Sequence, residues 1–299
     1  KFIAQTVNSS TTVDLTNESI DELSDVDTST NSPVNGDVLT WDSTANSWSP
    51  AAVTGGGSGV GQAWARQLAA DGVIVALLDV NTEGMEATAS GFETIHTFEV
   101  DITDSGAVSA VFSTIETTLG PVDRVVNAAA IMPFGRLVDE DPRVTNKVMS
   151  VNYGGLVNVA TAALPPMLER GYGDFISFSS MTGIIPGLLM GAYASSKAAV
   201  QHYSEILYHE NRDSGLRFCC VCPPAVATPL WRQAEATVVP KLPARGETLT
   251  PDQVIAEVER CLEGGKPFAF PGKQTKFGVL MRRLFPGLVW KASHEAEGF

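Results

Sequence analysis

The stretch Thr54-Gly55-Gly56-Gly57-Ser58-Gly59-Val60-Gly61, followed directly by Gln62-Ala63-Trp64-Ala65-Arg66-Gln67-Leu68, decides the fold. Glycines let a backbone turn tightly and approach a pyrophosphate, and a helix starting behind them offers unpaired N–H groups and a positive dipole end. Alone, a Gly-Gly-Gly-Ser-Gly string reads equally well as a flexible linker. Its surroundings lift it. The next apolar, β-branched run, Val73 to Leu78, ends at Asp79, 18 residues after Gly61. A carboxylate there accepts hydrogen bonds from an adenosine ribose diol and repels a 2′-phosphate. With no lysine or arginine in the loop or beside Asp79, the reading favours NAD over NADP.

Outward from the loop, strand and helix patterns alternate. Thr94 to Val100, Val122 to Asn127, Phe175 to Phe178, Leu216 to Val221 and Phe268 to Phe270 read as strands. Gly61 to Ala70, Asp104 to Leu119, Val144 to Arg170 and Tyr193 to Asn211 read as helices. Connections long enough to cross over predict an α/β fold, a doubly wound parallel sheet of Rossmann type.

A second constellation lies downstream. Ser180 follows the Phe175 to Phe178 strand, Tyr193 comes thirteen residues later, and Lys197 is four beyond it. An i, i+4 pair shares one helix face. An ammonium beside a phenol stabilises phenolate and lowers the tyrosine's pKa, so that Tyr193 can serve as a base while Ser180 steadies a substrate oxygen. A Tyr-x-x-x-Lys is common on helices. It acquires meaning here from the preceding Ser-Ser strand end and the Gly/Pro-rich loop.

From Ala51 to about Phe270 the chain resembles the short-chain dehydrogenase/reductase family. The family's T-G-x-x-x-G-x-G is matched by Thr54, Gly55, Ser58, Gly59, Val60 and Gly61 within the loop, and its N-N-A-G by Asn127-Ala128-Ala129-Ala130. The resemblance implies that Asp101 contacts adenine with Ile102 against the ring. It also implies that Val226 and Thr228 in Pro223-Pro224-Ala225-Val226-Ala227-Thr228 hold the carboxamide. It assigns a catalytic tetrad of Asn152, Ser180, Tyr193 and Lys197, with Tyr193 and Lys197 also contacting the cofactor, Lys197 at the nicotinamide ribose, and Asn152 holding a proton-relay water. NAD, a hydride-transfer reaction on a secondary alcohol or ketone, and a homodimer or homotetramer through Val144–Arg170 and Tyr193–Asn211 follow from the same resemblance. Ala194, Ala198, Ala199 and Val200 read as a small-residue face for that assembly.

Three departures stand out. Ala128 and Ala130 replace Asn and Gly near the cofactor, and Pro224 replaces Gly, removing an N–H and fixing φ. Only Ala51, Ala52 and Val53 precede Thr54 behind Ser49-Pro50, so the first strand reads as short and weakened. An NAD-binding scaffold without turnover, or a fibre-associated fusion with a passive dehydrogenase-like part, stays open beside the enzyme reading.

Residues 1–50 differ in composition. They hold eight acids and one lysine, and 22 of them are Ser, Thr or Asn. Leu23 to Asp27, Gly36 to Asp42 and Trp48 resemble a short repeat of phage tail-fibre proteins, and a disordered acidic leader explains them equally well. Trp41 and Trp48 flank a turn-rich Asp42 to Asn46, which predicts a hairpin. The organisation expected is a leader (1–50), a dinucleotide-binding domain (51–272) and a C-terminal tail (273–299).

With 44% hydrophobic and 18% charged residues, the chain can bury a sizeable core. A net charge of −14 argues against nucleic acid as a partner. Cys219, Cys220, Cys222 and Cys261 read as buried thiols, and His96, His202, His209 and His294 do not cluster with them, so no metal site is expected. No signal peptide or run of 18 apolar residues is visible, which predicts a cytoplasmic protein. The apolar Ile184 to Met190 and the sparsely charged Leu230 to Pro243 suggest a hydrophobic substrate. The tail carries Lys273, Lys276, Arg282, Arg283 and Lys291 without an acid up to that point, a pattern for a membrane surface or for a helix covering its own domain.

Overall fold

Alternation of side chains across the pleat gives each apolar run two faces to bury, and in this chain both are covered. The computed structural model describes residues 41–42, 47–233, 240–241, 247–273 and 275–299. The fibre-like repeat reading lies almost wholly outside them. Its described remnant is a two-strand antiparallel pair, β1 (Trp41–Asp42) and β2 (Ser47–Trp48), with Trp41 opposite Trp48 as the hairpin reading expects.

The sheet strands are β3 (Ala51–Thr54), β4 (Val75–Asp79), β5 (Ile95–Glu99), β6 (Arg124–Asn127), β7 (Gly173–Phe178), β8 (Leu216–Val221) and β11 (Phe268–Ala269). They form a seven-stranded, all-parallel sheet in the order β11-β8-β7-β6-β3-β4-β5. The chain winds outward from β3 in one direction and then from β6 in the other. That reversal opens a crevice at the C-terminal ends of β3 and β6, where doubly wound sheets bind ligands. A short parallel pair, β9 (Ala225–Val226) and β10 (Thr248–Leu249), sits apart from the main sheet.

Helices α1 (Gly59–Ala70), α2 (Thr82–Ala89) and α7 (Pro251–Glu263) cover one face, where Ala51, Val53, Val75 and Leu77 meet Trp64, Leu68, Met85, Ile255 and Val258. On the other face Ala52, Ala76 and Leu78 share a core with residues of α3 (Ser105–Thr118), α5 (Gly155–Arg170) and α6 (Gly191–Glu210), including Phe112, Ile115, Leu156, Met167 and Val200. Trp64 is buried and meets Phe178 of β7 edge-on, with ring centroids 6.2 Å apart.

The first strand differs from its expectation. Ala51, Ala52, Val53 and Thr54 are all within 1% of complete burial and pair with β4 on one side and β6 on the other. Pro50 precedes the ladder, so its missing N–H costs no strand bond, and its carbonyl accepts from Asp123 N at 3.1 Å. β6 has the same four-residue length. Small side chains at Ala51 and Ala52 do not weaken a strand that is sandwiched between two helical layers.

The helix expected over 144–170 is broken. α4 (Pro142–Met149) and α5 flank a π-helical turn at Ser150–Gly154 that contains the buried Asn152. Such turns occur as local bulges, often at functional sites. The helix α2, capped by Asn81 accepting from Gly84 N, had no sequence expectation. The tail folds as α8 (Thr275–Leu284) and α9 (Pro286–Glu297). No helix among the described residues is long and apolar enough to cross a membrane.

Candidate active site

The glycine loop joins β3 to α1 and is shaped by close approach. Gly55 has φ +69°, and a Cβ there would lie 2.7 Å from Ala129 N. At Gly61 a Cβ would lie 2.4 Å from the Gly55 carbonyl oxygen, so any side chain would push the loop off the helix start. Ser58 stands at the N-cap of α1 without a side-chain cap bond, leaving the first-turn amides for another acceptor. This cradle suits a bound pyrophosphate, and a methyl would fill it.

Asp79 closes the loop from the end of β4. Its Oδ2 accepts from Gly57 N at 2.9 Å and its Oδ1 from Asn81 N at 2.9 Å. Two backbone donors thus hold the carboxylate in place, and its remaining lone pairs are free to accept from a diol. Asp101 is exposed, with Oδ1 accepting from Thr103 N at 2.9 Å. Ile102 is buried against Gly155, and its carbonyl accepts from Asn158 Nδ2 at 2.8 Å.

A cavity of about 630 Å³ joins these groups to the second constellation. Gly55, Ser58, Gly59, Val60, Gly61, Asp79, Asp101 and Ile102 line one part, and Ser180, Tyr193, Lys197, Val226 and Thr228 line another. The replacements Ala128, Ala130 and Pro224 also line it. Three of the residues expected at the site stand behind its wall. Thr54 Oγ1 donates to Asn127 Oδ1 at 2.9 Å and accepts from Ala129 N at 3.3 Å, a buried clamp between β3 and β6. Asn152 accepts from Ile131 N at 2.9 Å and donates to Ile131 O at 3.0 Å and to Ser196 Oγ at 2.9 Å. Ser196 in turn donates to the Tyr193 carbonyl at 2.7 Å, so Asn152 is tied to α6, the helix that carries Tyr193 and Lys197.

Electrostatics at Tyr193 and Lys197 differ from the simple expectation. Burial pushes the Tyr193 phenol up to about 12, partly opposed by a hydrogen bond with Ser180. Burial also brings the Lys197 ammonium down to about 8, with Cys220 and Cys222 acting the other way. Instead of reaching the phenol oxygen, Lys197 Nζ donates to Phe178 O at 2.7 Å and lies 5.6 Å from the Tyr193 ring centroid. Desolvation outweighs the opposing effect of Ser180, so the phenol holds its proton.

The wall around Tyr193 is apolar. Met132, Phe134 and Met190 pack with Tyr193, and Leu230 and Trp231 close over them. Phe134 and Trp231 stack with centroids 5.8 Å apart. Gly135 N donates to Leu189 O at 2.9 Å, and Leu189 is held at φ +67°, a costly conformation for a branched residue. The sequence pointed to Ile184–Met190 and to the segment from Leu230. It missed Met132 and Phe134, although the apolar Ile131-Met132-Pro133-Phe134 directly after the Asn127 motif was a signal. Lys147 and Val151 also line the cavity unforeseen. All four cysteines are buried free thiols, as read. Of the expected small-residue face, Ala194 and Val200 are buried in their own domain, and Ala198 and Ala199 are half-buried.

Comparison with known proteins agrees with this geometry. The family model described as short chain dehydrogenase matches residues 50–238. A 2-(S)-hydroxypropyl-CoM dehydrogenase of Xanthobacter autotrophicus is 32% identical over 59% of this chain and 71% of its own. Dehydrogenase/reductase SDR family member 7B of Bos taurus is 30% identical over 80% of this chain and 78% of its own. A 2,3-dihydro-2,3-dihydroxybenzoate dehydrogenase of Bacillus subtilis is 31% identical over 59% and 69%. In fold, a short-chain dehydrogenase from Streptomyces avermitilis superimposes with a TM-score of 0.69 over 83% of this chain and 96% of that one, at 24% identity. With its sheet order, its glycine cradle and these relatives in agreement, the chain belongs to the short-chain dehydrogenases, oxidoreductases that bind a nicotinamide dinucleotide.

Proposed function

We propose that this chain transfers a hydride between NAD and a hydrophobic secondary alcohol or ketone. The observation that carries the reading is the buried Tyr193, which lines with Ser180 a cavity walled by Met132, Phe134, Met190 and Trp231. When bound, the nicotinamide supplies the hydride chemistry. The chain's own residues do the rest. In the reductive direction the protonated Tyr193 donates to a ketone oxygen, and in the oxidative direction its phenolate accepts the alcohol proton. Ser180 hydrogen-bonds the same oxygen. Lys197, anchored on Phe178 O, places a positive charge over the Tyr193 ring as the phenolate develops.

Asn152 acts as a positioning residue, because Ile131 O and Ser196 Oγ take both of its amide donors. Thr54 and Asn127 support the cofactor by clamping the strand that aims the glycine loop. Gly55, Ser58, Gly59, Val60 and Gly61 cradle the pyrophosphate, and Asp79 receives the ribose diol and sets the preference for NAD over NADP. Asp101 and Ile102 serve the adenine, and Val226 and Thr228 the carboxamide. The apolar wall supports a hydrophobic substrate. One relative is named for a 2-hydroxypropyl group, itself a secondary alcohol. A homodimer or homotetramer through α5 and α6, a separate leader before residue 51 and a reducing, cytoplasmic setting for the four thiols complete the proposal.

The test is direct. Purified protein is mixed with NAD or NADP and a panel of hydrophobic secondary alcohols, and reduced-nicotinamide absorbance is followed. Turnover with NAD is expected. Tight NAD binding with no turnover on any alcohol or ketone would instead favour the passive scaffold.

A further inference from the structure

The two C-terminal helices carry an exposed face that nothing in the dehydrogenase chemistry uses. Phe277, Leu280, Leu284, Phe285 and Leu288 are each between 49% and 64% exposed. At 100° per residue, Phe277, Leu280 and Leu284 fall within one narrow arc of α8, with Lys276 and Arg283 directly along its edge. Both of these cations are exposed. From Lys273 through Lys291 there are five lysines and arginines and no acid, on a chain whose net charge is −14. Arg282 lies over the Trp290 ring at 5.4 Å, which fastens α8 to α9, so the two helices present one surface.

The inner side of α8, turned away from that exposed arc, adjoins the cavity. A Cβ on Gly278 would lie 3.1 Å from Ile185 Cδ1 and 3.8 Å from Met181 Cε, and both Ile185 and Met181 line the cavity wall. At the far end Phe299 stacks under Arg136, beside the exposed Leu137 and Val138.

We propose that α8 and α9 dock this domain onto an anionic membrane surface, beside the wall of its apolar cavity. Charge chooses the occupant. A second copy meeting this face about a twofold axis would bring a second set of the same cations into one interface, whereas anionic headgroups neutralise Lys276 and Arg283 and take up the five apolar side chains. The proposal does not rest on the catalytic reading, since vesicle binding is measured without turnover.

The full chain is sedimented with vesicles of phosphatidylcholine alone and of equal parts phosphatidylcholine and phosphatidylserine. Binding to the mixed vesicles is expected to be roughly tenfold tighter or more, and to weaken with added salt. Lys276→Glu with Arg283→Glu, and separately Leu280→Asp with Leu284→Asp, should each cut that binding roughly tenfold or more while leaving NAD binding unchanged. Should charge reversal disturb folding, Lys276→Gln with Arg283→Gln at the same exposed positions gives the same reading. Three outcomes overturn the proposal: no preference for phosphatidylserine, undiminished binding by the folded variants, or a parent dimer that Leu284→Asp turns into a monomer, which would give the face to a second copy.

Discussion

The two ends of the cavity are built on different principles. At the nucleotide end, backbone does the work: the glycine loop, the Asp79 carboxylate held by Gly57 N and Asn81 N, and the Thr54–Asn127 clamp are all fixed by main-chain geometry and short polar side chains. At the substrate end, side chains from distant loops meet: Met132 and Phe134 after β6, Met190 before α6, and Trp231 after β9. A backbone-built site tolerates little change in shape and serves one ligand. A loop-built apolar wall can be remodelled without disturbing the sheet behind it. Between them stands Tyr193, whose proton chemistry belongs to both.

The sharpest way to probe that division is Tyr193→Phe. The ring and its packing remain while the titrating hydroxyl goes, so turnover should fall by about 10²-fold to 10⁴-fold. NAD affinity, measured by titration, should stay within a fewfold, because the nucleotide end is untouched. Retained activity would remove Tyr193 from its acid–base role.

Lys197→Met tests the buried charge. A lysine lowered to about 8 in the folded state keeps its proton to its ordinary value of 10.5 when unfolded. Between those limits the unfolded chain binds the extra proton, so folding stability rises with pH, by about 3 kcal/mol across the full interval. Below pH 8 the penalty is constant. Tyr193 acts oppositely above pH 10, since the unfolded phenol ionises first and the folded one only near 12. Melting curves from pH 7 to 10 should therefore show the parent gaining stability relative to Lys197→Met. Parallel curves would mean that Lys197 is not desolvated.

A smaller effect is expected at Asp79. Asp79→Ser with Val80→Arg removes the carboxylate and supplies a phosphate partner, shifting the kcat/KM ratio towards NADP by roughly tenfold or more. Loss of the Gly57 N–H partner should also weaken binding of either dinucleotide. A parent that already uses both equally would break the assignment. Smallest of all, Phe134→Leu should change selectivity among alcohols by roughly tenfold while NAD affinity holds. If it moved NAD affinity instead, the two ends would not be separable.

This contrast also explains what could be read in advance. The nucleotide end is contiguous: Thr54 to Gly61 is a single string, and Asp79 closes the next strand, so spacing alone placed them. Ser180, Tyr193 and Lys197 were legible because a strand end and one helix face carry them. The apolar wall was only partly legible, since Met132 and Trp231 are a hundred residues apart and each looks like ordinary core. The shift at Tyr193 was misjudged for a similar reason. Adjacency on a helix reveals the lysine, but only the packing reveals that both groups are buried and that Phe178 O takes the lysine's proton donor. The first strand was undervalued because its support comes from β4 and β6, whose register no local pattern of Ala51 and Ala52 could announce.

Phe178 connects the two layers in a way that can be exploited. Its ring meets Trp64, an indole buried on the helix that follows the glycine loop, while its carbonyl holds Lys197. An indole so shielded emits at short wavelength, and any ligand that settles on the loop or draws Lys197 away changes the surroundings of that one fluorophore. The chain's other tryptophans are Trp41, Trp48, Trp231 and Trp290, so a protein with Phe at those four positions would carry a single optical reporter. Stopped-flow emission from it would time the arrival of dinucleotide and the response of the lysine separately, without a label and without turnover.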